Sequence, residues 1–375
     1  MNSKKCIFHI PYSIDKKIFS GSYLRPAKML EAFESIGYEV HSVMGYGEER
    51  KKQIQRIKEN IAKGIKYDFL YSESSTMPTL LTEKNHMPKY PFLDFSFMNF
   101  CKKQGVPIGL FYRDMHWRFE HYKSTLSLHK KMITIPLYKY DLKKYKKLLD
   151  IMYVPSKRFA ELIPEKINCP MKELPSGIMK IDNIKPKIPT DQLNIFYVGG
   201  IIGNYDMKLL FETVYDLDFV NLTICCRKDE WEQAKSVYAS YINDRITIVH
   251  KSGLELKPYF EKADIVSLIL RPGEYMKLSM PVKIFEYLSY SKPILAVKGS
   301  ASGDFVEEND IGWSLDYTKE SFQSVLKDIQ NNRGQIDEKI ENIKSILSKN
   351  TWEYRATTVA QDLLAIKNKY FEVGE

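Results

Sequence analysis

Residues Arg271–Val297 read RPGEYMKLSMPVKIFEYLSYSKPILAV, and how this stretch is understood places everything else in the chain. Pro281 suits the first position of a helix, where its ring fixes φ and its missing N–H needs no partner. Ile284, Phe285 and Leu288 recur three and four residues apart, so one helix face is apolar and buried. Pro293 stops the pattern, and Ile294–Val297 reads as a short buried strand. Lys283 is the odd residue, because a cation in the first turn opposes the helix macrodipole. A helix start that adds a lysine to its own free amides suits an anion such as a phosphate. Glu286, one turn further in, can accept hydrogen bonds from a vicinal diol. Phosphate and diol about one nucleoside apart describe a nucleotide. The competing reading is a surface helix on which Lys283 and Glu286 pair with each other.

The 375-residue chain is 44% hydrophobic, enough to bury two ordinary cores, and two domains are expected. Five cysteines (Cys6, Cys101, Cys169, Cys225 and Cys226) are odd in number and form no CxxC pair. That points away from a disulfide framework or zinc site and toward a reducing compartment. The apolar run CIFHI is too short for a signal segment, and no stretch approaches the roughly 18 apolar residues of a membrane span. A cytoplasmic protein is expected, soluble or peripheral on the inner face of the membrane. Charge is uneven: residues 1–187 hold 34 Lys and Arg against 19 Asp and Glu, while the remainder holds 22 against 28. A basic first half suits an acidic partner: nucleic acid, an anionic bilayer or a phosphate-bearing acceptor.

In the first half, strands at 5–10, Val40–Met44, Tyr67–Tyr71 and Pro107–Tyr112 alternate with helices, which predicts a parallel sheet covered on both faces. A loop through Ser20, Gly21 and Ser22 precedes a helix with Pro26 in its opening turn and Gly37 as its stop. Glu48–Lys63 reads as a solvated helix, and Phe92–Lys103 as another. Two predicted loops at strand ends, Ser72–Thr76 and Arg113–Arg118, are dense in polar groups, and ligands bind at that edge of open parallel sheets. The second loop gathers Arg113, Asp114, His116 and Trp117 in one turn; its plainer reading is an internal Arg–Asp pair beside a packed Trp. From His129, the pattern of Leu142, Tyr145, Leu148 and Leu149 among lysines fits a helix lying on an anionic membrane through Lys130–Lys147, or one packing on its own domain. Met152–Pro155 closes the first domain, and the Pro-rich stretch Leu174–Thr190 reads as a linker.

The second half begins with a strand, Leu193–Val198, and the turn Gly199-Gly200-Ile201-Ile202-Gly203 into a helix Met207–Tyr215. Glycines there let backbone amides approach a phosphate, although a tight turn without a ligand has the same look, and the GxGxxG fingerprint is not met. Strands at Leu222–Cys226, Ile246–Val249 and Asp264–Leu270 follow. Arg227 and Lys228 either meet phosphates or pair with Asp229 and Glu230. Gly299–Gly303 leads into a helix Asp304–Glu308, and a long helix, Trp352–Tyr370, ends the chain.

The run MPVKIFEYLSYSKPILA resembles the donor-binding helix of retaining GT-B glycosyltransferases of the family-4-like group, and YSESST and FYRDMHW are more loosely similar to first-domain segments of the same group. In that family a Glu holds the ribose and a basic residue the diphosphate of a nucleotide sugar. Glu286 matches the second acid of the family's paired-glutamate motif; the first falls on Leu278, with Glu274 nearby. The resemblance implies an α/β chain of GT-B type: two doubly wound Rossmann-like domains facing across a cleft, at 1–180 and 181–350, with a C-terminal helix, 351–375, crossing back to the first. It implies a hexosyl-type transferase acting on a nucleotide diphosphate sugar and a glycan or lipid-linked acceptor of capsule or exopolysaccharide type. No cofactor, metal or nucleic-acid partner is expected. Glu286, Lys283, Arg227, Arg271, Gly199 and Gly200 would hold the donor, with Gly21 and Ser22 near the sugar phosphate, and Arg113, Asp114 and His116 would serve acceptor or sugar. The competing functions are a GT-B nucleotide-sugar 2-epimerase and a non-catalytic basic binding module.

Overall fold

The computed structural model describes residues 4–14, 21–179, 190–203 and 205–372. The chain divides into two compact units, Met1–Gly177 with Trp352–Glu375, and Ile178–Thr351. The first holds β1 (Lys4–His9), β2 (Tyr38–Val43), β3 (Phe69–Glu73), β4 (Ile108–Phe111), β5 (Ile151–Val154) and β6 (Met171–Glu173). They lie in the order β2-β1-β3-β4-β5-β6, each neighbouring pair parallel. The second holds β7 (Leu193–Val198), β8 (Val220–Cys225), β9 (Ile246–Val249), β10 (Ile265–Leu268), β11 (Ile294–Val297) and β12 (Gly312–Leu315). Their order is β12-β11-β10-β7-β8-β9, again all parallel.

Strands such as IVSL of β10 and ILAV of β11 are buried at every position, as helices on both faces of a parallel sheet require. Strand order reverses between β1 and β3 in one unit and between β7 and β10 in the other, so each sheet has a switch point at its carboxyl edge. The two doubly wound sheets are the α/β architecture that the sequence suggested.

The last helix, Trp352–Glu372, is part of the first unit. Trp352, Ala356, Val359 and Leu363 pack with Phe8, Met29, Phe33, Tyr71 and Tyr153. Gly109 in β4 makes this possible: a side chain there would run into Leu363 and Tyr153 within about 3 Å. The terminal helix thus closes the first core, as the sequence suggested.

Several boundaries moved. Gly21 and Ser22 open the helix Gly21–Ser35 rather than lying in a loop, and Pro26 is its sixth residue; a proline this near the start costs the helix one backbone bond. The helix Gly47–Ala62 is not wholly solvated, since Arg50, Ile54 and Ile57 are buried. Helix Ala301–Glu308 starts three residues early because the Ser300 hydroxyl accepts from the Gly303 amide at 3.0 Å. Ser20 and residues 180–189 of the expected linker lie outside the described residues.

The largest correction concerns Leu142, Tyr145, Leu148 and Leu149. They belong to the helix Leu128–Leu148 and its end, and they are buried in the first unit with at most 7% exposure. That face packs on its own domain. The exposed apolar side chains of the helix are instead at its start, where Leu128, Met132 and Ile133 are 68%, 67% and 57% exposed. Among the described residues no helix is long and apolar enough to cross a membrane.

Candidate functional site

The second unit's switch point brings together two stretches far apart in sequence, joined by a contact that spans 86 residues. The turn after β7 carries Gly199 and Gly200; the loop after β10 leads to the helix Lys283–Ser289. This helix starts two residues after Pro281, and the amides of Ile284, Phe285 and Glu286 already bond to the Pro281 and Val282 carbonyls. Its first turn therefore offers few free amides. The side chains matter more.

Lys283 reaches back over β7. Its Nζ donates to the Tyr197 hydroxyl at 2.9 Å and lies 4.4 Å from the Tyr197 ring centre and 5.0 Å from that of Tyr205. Burial brings its ammonium down to about 8, against the pull of Glu286 and Glu230. Glu286 is partly buried, and burial pushes its carboxyl up while Lys283 opposes. The two do not form an ion pair, so the surface-pair reading is not what the fold builds. Among the described residues the Glu286 carboxylate has no hydrogen-bond partner, and Lys283 has one.

The glycines act differently from expectation. The Gly199 amide donates to the Cys225 carbonyl at 2.9 Å, extending the β7–β8 ladder, so it is not free for a phosphate. Gly199 instead provides room: its φ is 148°, and the Lys283 ammonium occupies the space that a side chain would take. Only the Gly200 amide of the pair remains without a partner among the described residues. The neighbouring Ile201 amide donates to Glu230 at 3.3 Å.

Arg227 and Arg271 sit at the same edge but are engaged. Arg227 pairs with Glu230 at 2.9 Å and Arg271 lies 3.7 Å from Asp206, and both side chains are 72% exposed. For Arg227 this is the pairing alternative the sequence had left open. Leu278, where the family motif has an acid, is 5% exposed and apolar; Glu274 is exposed.

In the first unit the polar edge is largely closed on itself. Glu73, fully buried at the end of β3, takes Arg113 Nη2 at 2.8 Å, Arg25 Nε at 3.3 Å and the Tyr71 hydroxyl at 2.9 Å. Arg113 is thus held inside the protein by Glu73. Beside it, His9 bonds Ser72 Oγ and Asp94 Oδ1, both at 2.9 Å, and Arg50 Nε meets Asp94 at 2.9 Å. Burial alone would raise Asp94, but His9 and Arg50 hold its carboxyl below the usual range. The hydroxyl–imidazole–carboxylate order is that of a nucleophilic triad, yet Ser72 is 1% exposed within β3, and no substrate reaches it.

Asp114 and His116 do come together. Asp114 accepts the His116 amide at 2.8 Å, and its other oxygen lies 3.2 Å from His116 Nδ1. His116 Nε2 is 3.4 Å from the Tyr138 hydroxyl, whose own proton goes to the Thr76 carbonyl at 2.7 Å. Trp117 stacks on Tyr138, and Tyr122 meets the imidazole edge-on. The pair remains partly exposed, at 16% for Asp114 and 25% for His116. Among the described residues no group of three His, Cys, Asp or Glu side chains could hold a metal ion.

No protein-family model and no curated protein sequence matches the chain. Solved structures do. Sucrose-phosphate synthase from Thermosynechococcus elongatus aligns at a TM-score of 0.63 with 13% identity, over 99% of this chain and 100% of that one. Anabaena HepE in complex with UDP-glucose aligns at 0.61 with 11% identity, over 97% and 99%. WaaG, a glycosyltransferase involved in lipopolysaccharide biosynthesis, aligns at 0.59 with 11% identity, over 96% and 99%. Likenesses of this length and depth establish architecture, and the architecture of the chain is GT-B.

Proposed function

We propose that this chain is a retaining glycosyltransferase that moves a hexose from a nucleotide diphosphate sugar to a lipid-linked or polysaccharide acceptor. One observation carries the reading: Lys283 and Glu286 meet at the β7–β10 switch point without pairing, each with hydrogen-bonding capacity left over. A partly buried ammonium and carboxylate left apart suit a ligand with an anionic end and a diol. HepE, a structural neighbour, was crystallised with UDP-glucose.

In this reading Glu286 holds the ribose, and Lys283 with the Gly200 amide meets the diphosphate as its charge grows in the transition state. Arg227 and Arg271 join by exchanging Glu230 and Asp206 for phosphate oxygens. Cationic side chains then do what a metal would, and no bound ion is needed. Asp114 and His116 position the acceptor hydroxyl or the donor sugar, while Arg113, held by Glu73, braces the loop that carries them. The proposal names no protein nucleophile. For the membrane, Leu128, Met132 and Ile133 with Lys130 and Lys131 form the contact on an anionic bilayer, in place of the buried face.

Thermal-shift screening against nucleotide sugars tests the donor class; no shift with any of them would remove it. Glu286→Ala should weaken donor binding about tenfold or more, the loss of hydrogen bonds to a charged group, and unchanged affinity by calorimetry would count against the ribose role. Incubation with donor alone separates transfer from epimerisation, since only an epimerase makes a new sugar nucleotide without an acceptor. Sedimentation with anionic and neutral vesicles tests the membrane surface; equal binding to both would rule it out.

A further inference from the structure

The donor reading leaves Tyr197 without a role, yet Tyr197 is the residue that decides where the Lys283 amine stands. Its ring is fully buried in β7 and its hydroxyl donates to the Gly200 carbonyl at 2.6 Å. Burial pushes this phenol well above its ordinary range, so the proton stays on the oxygen. With that proton committed to Gly200, the oxygen has only lone pairs to offer Lys283, and Lys283 must be the donor in the 2.9 Å bond. The same hydroxyl therefore ties the glycine turn to the lysine.

We propose that Tyr197 is the positioning residue of this site, holding the Lys283 ammonium over Gly199 so that its remaining N–H groups are presented to a nucleoside diphosphate. This rests on the donor reading and adds to it a group that never touches substrate. Three features of the geometry agree. The ammonium stands against the faces of Tyr197 and Tyr205, weak π partners that a phosphate oxygen can displace. Gly199 has no side chain where the ammonium lies. No carboxylate within ion-pair distance neutralises the charge among the described residues.

A consequence in pH follows. The groups facing Lys283 are Glu286 from its own helix, Glu230 from the helix Lys228–Tyr238, Tyr197 from β7 and Tyr205 from the turn; Arg227 already balances Glu230. Burial has brought Lys283 down to about 8 in the free protein. A bound diphosphate favours the protonated form, so its affinity should decline as pH rises above about 8.

The decisive variant is Tyr197→Phe, which keeps the ring and removes the hydroxyl. Lys283 is titrated without ligand by nitrogen NMR of lysine side chains, its signal assigned by its loss in Lys283→Met. Calorimetry with UDP and GDP, and with UMP and GMP as one-phosphate controls, gives the affinities at pH 7 and 9. The expected result is a lowered Lys283 titration, about tenfold weaker diphosphate binding, and monophosphate affinity within about twofold. Tyr197→Phe should add nothing in the Lys283→Met background. Gly199→Ala, which pushes the amine aside, should reproduce the selective loss. An unmoved Lys283 titration in Tyr197→Phe overturns the proposal, as does equal weakening of mono- and diphosphates. If the unaltered protein binds no nucleoside diphosphate, with ADP, CDP and dTDP tried beside UDP and GDP, the donor reading fails; the ligand-free titration then upholds or overturns Tyr197's hold on the lysine by itself.

Discussion

Both sheets have a switch point at the carboxyl edge, and the two edges treat their charges in opposite ways. In the first unit, Glu73 is shared by two arginines and a tyrosine, and Asp94 by His9 and Arg50, all buried. In the second, Lys283 and Glu286 are partly buried, close in sequence, and left without each other. A buried charge that is fully paired is architecture, because taking either partner away strands the other. One left with spare capacity at a switch point is what the donor reading assigns to a ligand. Asp114 and His116 fall outside this division in the first unit, being paired but still reachable.

This contrast can be broken by substitution. Asp94→Ala should lower unfolding stability by about 3–5 kcal/mol, since His9 and Arg50 lose their common partner, while nucleotide affinity of the folded fraction stays the same. Denaturant unfolding beside calorimetry checks both halves, and a binding defect without a stability defect would reverse the assignment. Lys283→Met should do the opposite. Transfer should fall about 10²–10³-fold, as for removal of one preorganised charge-stabilising donor. The free protein should gain stability at neutral pH, because a depressed lysine costs the fold until pH rises through about 8 and toward its unfolded value.

A smaller effect sharpens the comparison within the first unit. Asp141 is buried with one oxygen unpartnered, and burial pushes its carboxyl up to about 7, the Thr79 amide opposing. The native chain keeps this proton after the unfolded chain has lost it near pH 4, so stability should fall as pH rises from about 4 to 7. Asp141→Asn should flatten that slope, by roughly 1–3 kcal/mol at pH 7. An unchanged slope in urea unfolding across those pH values would show that Asp141 is hydrated after all.

How far the sequence carried depends on distance along the chain. β7, β9 and β11 were read residue for residue, since short apolar runs between Gly, Pro and polar turns leave little choice. Lys283 and Glu286 stood out in the sequence because a cation in a first helical turn breaks a local preference. What was not legible lay in partners far away: Tyr197 reads only as one more apolar strand position, and its bond to Lys283 spans 86 residues. Arg113 looked like an exposed loop cation because Glu73, 40 residues earlier, could not be seen beneath it. The glycine turn was found but its use was not, since one amide closes the ladder and the missing side chain does the rest. Elements such as β12 and the helices Lys319–Asn331 and Gly334–Ile346 carry no unusual residues and passed unread.

The return of the final helix to the first unit has a bearing on how the molecule is made. Phe8, Met29 and Phe33 leave the ribosome long before the side chains that cover them, from Trp352 to Leu363, which lie more than three hundred residues further along the chain. At ordinary rates of translation the wait is roughly fifteen to seventy seconds. Throughout that interval the nascent chain carries an uncapped greasy groove, while the unit between Ile178 and Thr351 can already be folding on its own. A ribosome that stalls before Trp352 would release a half-finished product with that groove open, a natural target for chaperones and proteases.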